Sequence, residues 1–258
     1  MQGVMMSRSE SVAMTVALAS PVVGLALLIS APSIDGHWDH QPSHFWIVLG
    51  AALVAGAVGW SVGVSARRRA DARLALVSMS FMTAAAFLGL HALATPRVLL
   101  DRSNAGFVVA VPVGLVGAAA FALWSAVPLE GDRARWVSSH ISQLRALLAG
   151  TAAVWACWSL AELPPLDDPT PIESGSPTMV VFGAPAAIGF AIAAWRYLVL
   201  ARQRRARLLV AVAGAWVLLA EAAVAVAITE SWRASWWLWH GLMVAAFGAI
   251  ATGAARMP

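Results

Sequence analysis

The sequence predicts an all-α, polytopic membrane bundle of about eight transmembrane helices, with residues 1–258 forming a single transmembrane domain. Three observations carry that expectation. Hydrophobic residues make up 60% of the chain and charged ones only 12%, too little polar surface to clothe a soluble globule of this size. Thirteen Trp accompany a single Tyr, and indole rings sit well at the boundary between lipid and water. The apolar residues also fall into runs of roughly 20, the length that crosses a hydrocarbon core of about 30 Å.

Bounded by charge, Pro or Gly, the runs occupy residues 11–31, 44–66, 74–95, 106–128, 146–163, 179–200, 208–229 and 235–255. They are uniformly apolar rather than alternating, which argues against barrel strands. The first is too long for the apolar part of a cleaved signal and is read as a membrane helix. The fifth is short, so seven crossings plus one tilted or re-entrant segment is the alternative count. The last two runs are joined by only a few residues around Ser231 to Ala234, which makes those helices antiparallel neighbours.

Orientation follows from the basic residues, all of which are Arg. With the amino terminus in the cytoplasm, fourteen of the 17 lie in or beside cytoplasmic segments, among them Arg67, Arg68, Arg69, Arg73, Arg145, Arg204, Arg205 and Arg256. Arg97, Arg102 and Arg233 fall outside, together with the acidic residues Asp35, Asp39, Asp101, Asp167, Asp168, Glu173 and Glu230. This positive-inside bias places both termini in the cytoplasm, and a bacterial plasma membrane is the expected location. Topology and anionic lipid explain the basic clusters, and no nucleic-acid partner is expected. The single Cys, Cys157, excludes a disulfide framework and a multi-thiolate metal site.

Residues whose placement costs free energy in lipid carry the functional signal. His37, His40 and His44 lie in GHWDHQPSHFW at the start of the second helix. His91 precedes the Thr95-Pro96 break by one turn, and His240 lies about one turn into the last helix. At 1.5 Å per residue, His91 and His240 sit roughly 6–8 Å below the outer boundary, with His44 near it. Neutral imidazole is the commonest protein ligand for transition metals, so His40, His44, His91 and His240 are the candidate metal ligands. Three of them would suit Zn, Cu or Fe, whereas a facing pair such as His91 and His240 could hold haem b axially. Headgroup and water contacts are the plain alternative for any one of them. His140, among cytoplasmic Arg residues, is given no role.

Two carboxylates belong to the same argument. Glu221 lies inside the seventh apolar run and Glu162 ends the fifth, and a lone ionised Glu in hydrocarbon is costly. Either one is a candidate to accept the second N–H of a ligating His. Pro112 and Pro185 each free a carbonyl near the outer surface and let their helices bend around a cavity. Trp38, Trp46, Trp232, Trp236, Trp237 and Trp239 read mainly as an interfacial belt, and the Gly59-to-Gly63 spacing permits close helix contact.

The strings HWDHQPSHFWIVLG, ARRRADARLALVS and FLGLHALATPRVLL, the last followed by NAGF, resemble the multi-helix membrane input domains that precede nucleotide cyclase or histidine-kinase output domains in actinobacteria and relatives. The likeness covers residues 37–125. It implies a sensor in which His40, His44 and His91 belong to the characteristic motif. No output domain follows Pro258, so either the chain is part of a longer one or the signal passes to a separate cytoplasmic kinase or cyclase partner, with a homodimer as one arrangement.

Three function classes follow. A membrane sensory module with a metal or haem at its outer face ranks first, and a membrane-embedded metalloenzyme using Glu221 or Glu162 as acid or base ranks second. A metal or proton transporter ranks third, because the inner halves of the helices carry almost no polar groups. Cytoplasmic segments such as Leu129 to Arg145 are too short to fold a catalytic domain, and no phosphate-binding Gly-rich loop is encoded. The topology is tested by impermeant thiol labelling of intact cells: a cysteine at Asp168 is expected to react and one at Arg204 to stay protected, and the opposite pattern would invert every assignment of an outer side.

Overall fold

In the computed structural model, which describes residues 8–167, 176–204 and 206–255, the chain forms eight helices. They are α1 (Arg8–Ser30), α2 (Gln41–Arg68), α3 (Ala72–Ala92), α4 (Ala105–Ser125), α5 (Gly131–Leu160), α6 (Pro177–Arg204), α7 (Arg207–Ile228) and α8 (Ala234–Ala255). Seven are long and apolar enough to cross a membrane, and α5 is the exception. The fold is therefore the expected all-α polytopic bundle. Asp168, Glu173, Arg205, Arg256, Pro258 and most of the Pro-rich stretch between α5 and α6 lie outside the described residues.

Local chemistry sets the helix ends. Asp71 caps α3 by accepting from the Leu74 N–H at 2.9 Å, and Asn104 caps α4 by accepting from Phe107 at 3.2 Å. His40 does the same for α2, its Nδ1 accepting from Ser43 at 3.2 Å, with Pro42 in the first turn. The segment Leu129 to Arg145, expected to be a loop, is instead largely the first half of α5. Its polar residues concealed a helix that turns apolar only from Ala146 onward. His140 consequently lies on α5, stacked on Trp136.

Six helices close a ring in which α2 packs on α3, α3 on α4, α4 on α6, α6 on α7, α7 on α8, and α8 on α2. α5 leans on α3 and α4 from outside, and α1 on α7 and α8. The turn between α7 and α8 makes them neighbours, as its length required. Lipid tails are as apolar as Leu, so packing rather than water expulsion drives helix association here. Small residues permit it: a Cβ on Gly114 would overlap Phe87, and one on Gly183 would press on Ala227 and the Ala223 carbonyl. The centre is filled by Trp216, fully buried, stacked on Phe81 at 4.9 Å and Phe190 at 5.7 Å between ring centroids.

The Arg-rich half of the bundle is more polar than the sequence suggested. Ser80 donates to the Ala118 carbonyl at 2.6 Å, and Tyr197 donates to Ser125 at 2.9 Å. Arg73 donates to the Ser125 and Val127 carbonyls at 2.6 and 3.2 Å, closing the end of α4. Each of these groups is spent on helix-to-helix hydrogen bonds. Single Ser hydroxyls barely interrupt an apolar run, so hydropathy alone does not reveal them.

At the opposite face, the α1–α2 and α7–α8 loops are laced together. Asp35 accepts from both the Ser235 N–H at 2.8 Å and the Ser235 hydroxyl at 2.7 Å, satisfying an orphan donor in the first turn of α8. The Ala234 N–H donates to Gly36 at 2.9 Å and the Trp38 N–H to Trp232 at 2.7 Å, while Trp237 reaches the Trp38 carbonyl at 3.1 Å. This lacing brings the start of α2 beside the start of α8. Asp35→Ala strands two buried donors and should cost about 1–3 kcal/mol, read as a lowered midpoint in thermal unfolding of the detergent-solubilised protein; Asp35→Asn, which keeps one acceptor, should fall between.

Candidate metal centre

His44, His91 and His240 converge at the laced end of the ring. Each is buried, at 3%, 7% and 6% exposure, and one ligand nitrogen from each lies within 4.8 Å of the others. The elements deliver them from three directions. His44 is in the first turn of α2 and His240 in the second turn of α8, neighbours through the loop lacing. His91 is on the last turn of α3, its ring centroid 5.5 Å from that of His44 and 6.3 Å from that of His240.

Two of the three imidazoles hydrogen-bond to oxygen through Nδ1. His91 Nδ1 donates to the Phe107 carbonyl at 3.1 Å and also lies against the Val108 carbonyl. Pro112, four residues on, has no N–H to offer Val108, so that carbonyl lacks its helical partner. A carbonyl only accepts, hence the proton of neutral His91 sits on Nδ1. Its Nε2 is then a bare lone pair, and it is buried with no hydrogen-bond partner. His44 Nδ1 lies 2.7 Å from the buried Thr95 hydroxyl. His240 Nδ1 lies toward the Trp236 carbonyl one turn back, outside good hydrogen-bond geometry.

The fronts of two rings face each other, with His44 Nε2 3.1 Å from His240 Nε2. Two imidazole nitrogens sharing a tetrahedral ion at 2.0–2.1 Å would stand about 3.3 Å apart. The rings are steeply inclined, at 89° between His44 and each of the other two. Such an arrangement lets lone pairs meet at a point rather than stack. Oxygen behind Nδ1, as at His44 and His91, is what fixes tautomer and orientation in histidine metal sites.

Tryptophans wall the centre. Trp239 stacks on His240 at 3.5 Å and meets His91 at 5.5 Å, while Trp236 lies 4.5 Å from His240 and 5.0 Å from His44. Both are buried, so they belong to the site rather than to an interfacial belt; Trp38 and Trp46, half or more exposed, fit the belt. A cavity of about 70 Å³ opens on His44 and His91, lined also by Thr95, Ser103, Pro112 and Met179. At about 30 Å³ per water it has room for roughly two.

The remaining expected residues lie elsewhere. His40 is exposed, occupied with its capping bond and stacked near Trp38 at 6.4 Å. Glu162 pairs with Arg102 at 2.6 Å on the surface, tying the end of α5 to the loop before α4. Glu221 faces a separate apolar groove formed with Pro21, Leu25 and Ile188, and neither Glu lines the triad's cavity. Thr95, the Phe107 carbonyl, Trp236 and Trp239 complete the site without having been singled out as ligand supports. Thr95 and Pro112 did leave a signal, a hydroxyl and a helix-opening Pro each within a turn or so of the depth of His91.

Compared with known proteins, the chain matches no family model, no curated protein and no solved structure. The geometry therefore stands alone in assigning roles. Thr95→Val removes the oxygen behind His44 at nearly constant shape, and metal affinity should fall about 10–100-fold, read by competition with a coloured chelator, with little change in unfolding temperature of the metal-free protein.

Proposed function

We propose that this chain is a membrane sensory module whose input is a three-histidine transition-metal centre near the acidic face of the bundle. The observation that carries the proposal is the convergence of His44, His91 and His240 with oxygen behind the Nδ1 atoms of His44 and His91 and an unpartnered Nε2 on His91. Three neutral imidazoles suit Zn, Cu or Fe, and the Met179 thioether in the adjoining cavity adds a soft donor nearby. Haem b fits poorly. A 70 Å³ cavity has no slot for a macrocycle between His91 and His240, the pair that would hold it axially.

Sensing is favoured over catalysis by what lines the cavity. It offers an open side for a molecule the size of water or dioxygen, yet among the described residues no carboxylate lines it. A hydrolytic or oxidative enzyme would need a group there to take or give a proton, and Glu162 and Glu221 lie outside it. Binding or loss of a ligand would instead shift α2, α3 and α8 relative to one another, a displacement that reaches the Arg-rich face along rigid helices. A cytoplasmic kinase or cyclase partner would receive it there. The resemblance of residues 37–125 to membrane input domains supports the same reading.

Elemental analysis and absorption spectra of purified wild type, His91→Ala and His240→Ala test the centre. One transition-metal ion per chain, lost in both variants and without a Soret band, is expected; wild type that stays metal-free after loading, or a Soret band, would overturn it. Hydrogen exchange then tests sensing: metal loading should alter protection at the α2–α3 and α4–α5 turns on the far face, and unchanged exchange there with a loaded centre would favour the enzyme.

A further inference from the structure

The charged group least accounted for by the bundle is Arg145. It sits on α5 where the polar half of that helix gives way to Ala146 and the apolar run, at the Arg-rich face. Only 9% of it is exposed, and its Nε and Nη2 are buried without a hydrogen-bond partner. Among the described residues no carboxylate pairs with it; the four ion pairs lie elsewhere. The charge that acts on it is another cation, Arg67. A buried guanidinium with a like charge for company lacks the partner that buried charges require.

The protein nevertheless builds a niche for it. Trp60, Gly63 and Arg67 lie on one face of α2, at spacings of three and four residues. The Arg145 guanidinium carbon lies 4.7 Å from the Trp60 ring centroid, and the ring's face supports the cation. Gly63 makes the room, since a Cβ there would overlap both Arg145 Nη2 and the Ser78 hydroxyl. Ser78 is itself held by donating to the Gly59 carbonyl at 2.8 Å. The guanidinium is thus positioned by an aromatic face, a missing side chain and a packed helix, while its charge is left unanswered.

We infer that Arg145, where α5 packs over Gly63 of α2 and Ser78 of α3 at the Arg-rich face, binds a phosphate anion together with Arg67. An anion of this geometry takes charge-assisted bonds from planar guanidinium forks, which neither a water nor a chloride matches. The depth favours the phosphodiester of an anionic lipid, because Arg145 marks the level at which the apolar part of α5 begins and headgroups stand. Trp60, 52% exposed on the same face, is placed to meet the glycerol and upper acyl region of that lipid. The same donors would accept free inorganic phosphate, so the source is decided by experiment.

The test uses the full-length protein in nanodiscs and in detergent. Native mass spectrometry and unfolding temperature are recorded with phosphatidylglycerol, phosphatidylcholine and inorganic phosphate as separate additions. Retained and stabilising phosphatidylglycerol, with phosphatidylcholine weaker, supports a lipid site; protection by inorganic phosphate alone supports a soluble anion at the same donors. Arg67→Gln, on an exposed residue, should weaken the favoured anion by about fivefold and Arg145→Gln by at least that, with metal content at the histidine centre unchanged as evidence of folding. Should Arg145→Gln fail to fold, Arg67→Gln alone still decides. Equal binding by wild type and Arg67→Gln, or no preference for either anion over phosphatidylcholine, would overturn the assignment and leave Arg145 as a packing element.

Discussion

Imidazoles buried away from water must find partners inside the protein, and this constraint organises the acidic end of the bundle. His91 has one, the Phe107 carbonyl, and its other nitrogen has none. His44 and His240 answer each other at 3.1 Å, with Thr95 behind the first. A metal ion would supply one common partner for all three fronts. The neighbouring structure serves to hold that geometry: Asp35 fastens the α8 start, Pro112 exposes a carbonyl to His91, and Trp236 and Trp239 pack against the rings.

The helices were legible in the sequence because lipid demands long apolar runs, and so was the depth of His44, His91 and His240, because depth is residue count times rise. What sequence depth could not supply is azimuth. Glu221 was at a suitable level for supporting His240, but the structure turns it toward α1 and α6, into a groove with Pro21 and Ile188. Partners from loops were equally hidden: Asp35 is some 200 positions from Ser235, and only the folded loops reveal that they meet. The first half of α5 read as a loop because charge interrupts it, although charge is what a helix emerging from a membrane carries.

The two polar features of the bundle stand at opposite ends of shared helices. His44 and Gly63 are both on α2, 19 residues and so about 28 Å apart, close to the thickness of a hydrocarbon core. His91 and Ser78 are both on α3, the helix most fully surrounded by others. In the proposed account, a change at the metal is felt by α2, α3 and α8, and the first two lead to the niche around Arg145. An anionic lipid seated there would bear on the same helix pair that carries the signal, coupling the two ends through rigid packing rather than through a polar wire.

The account stands on metal coordination by three imidazoles, and X-ray absorption at the edge of the bound metal observes that directly. Three nitrogen scatterers at about 2.0–2.1 Å with the multiple-scattering pattern of imidazole, reduced to two in His91→Ala, is the predicted result. A shell of oxygen alone, or a spectrum indifferent to the loss of His91, would contradict it.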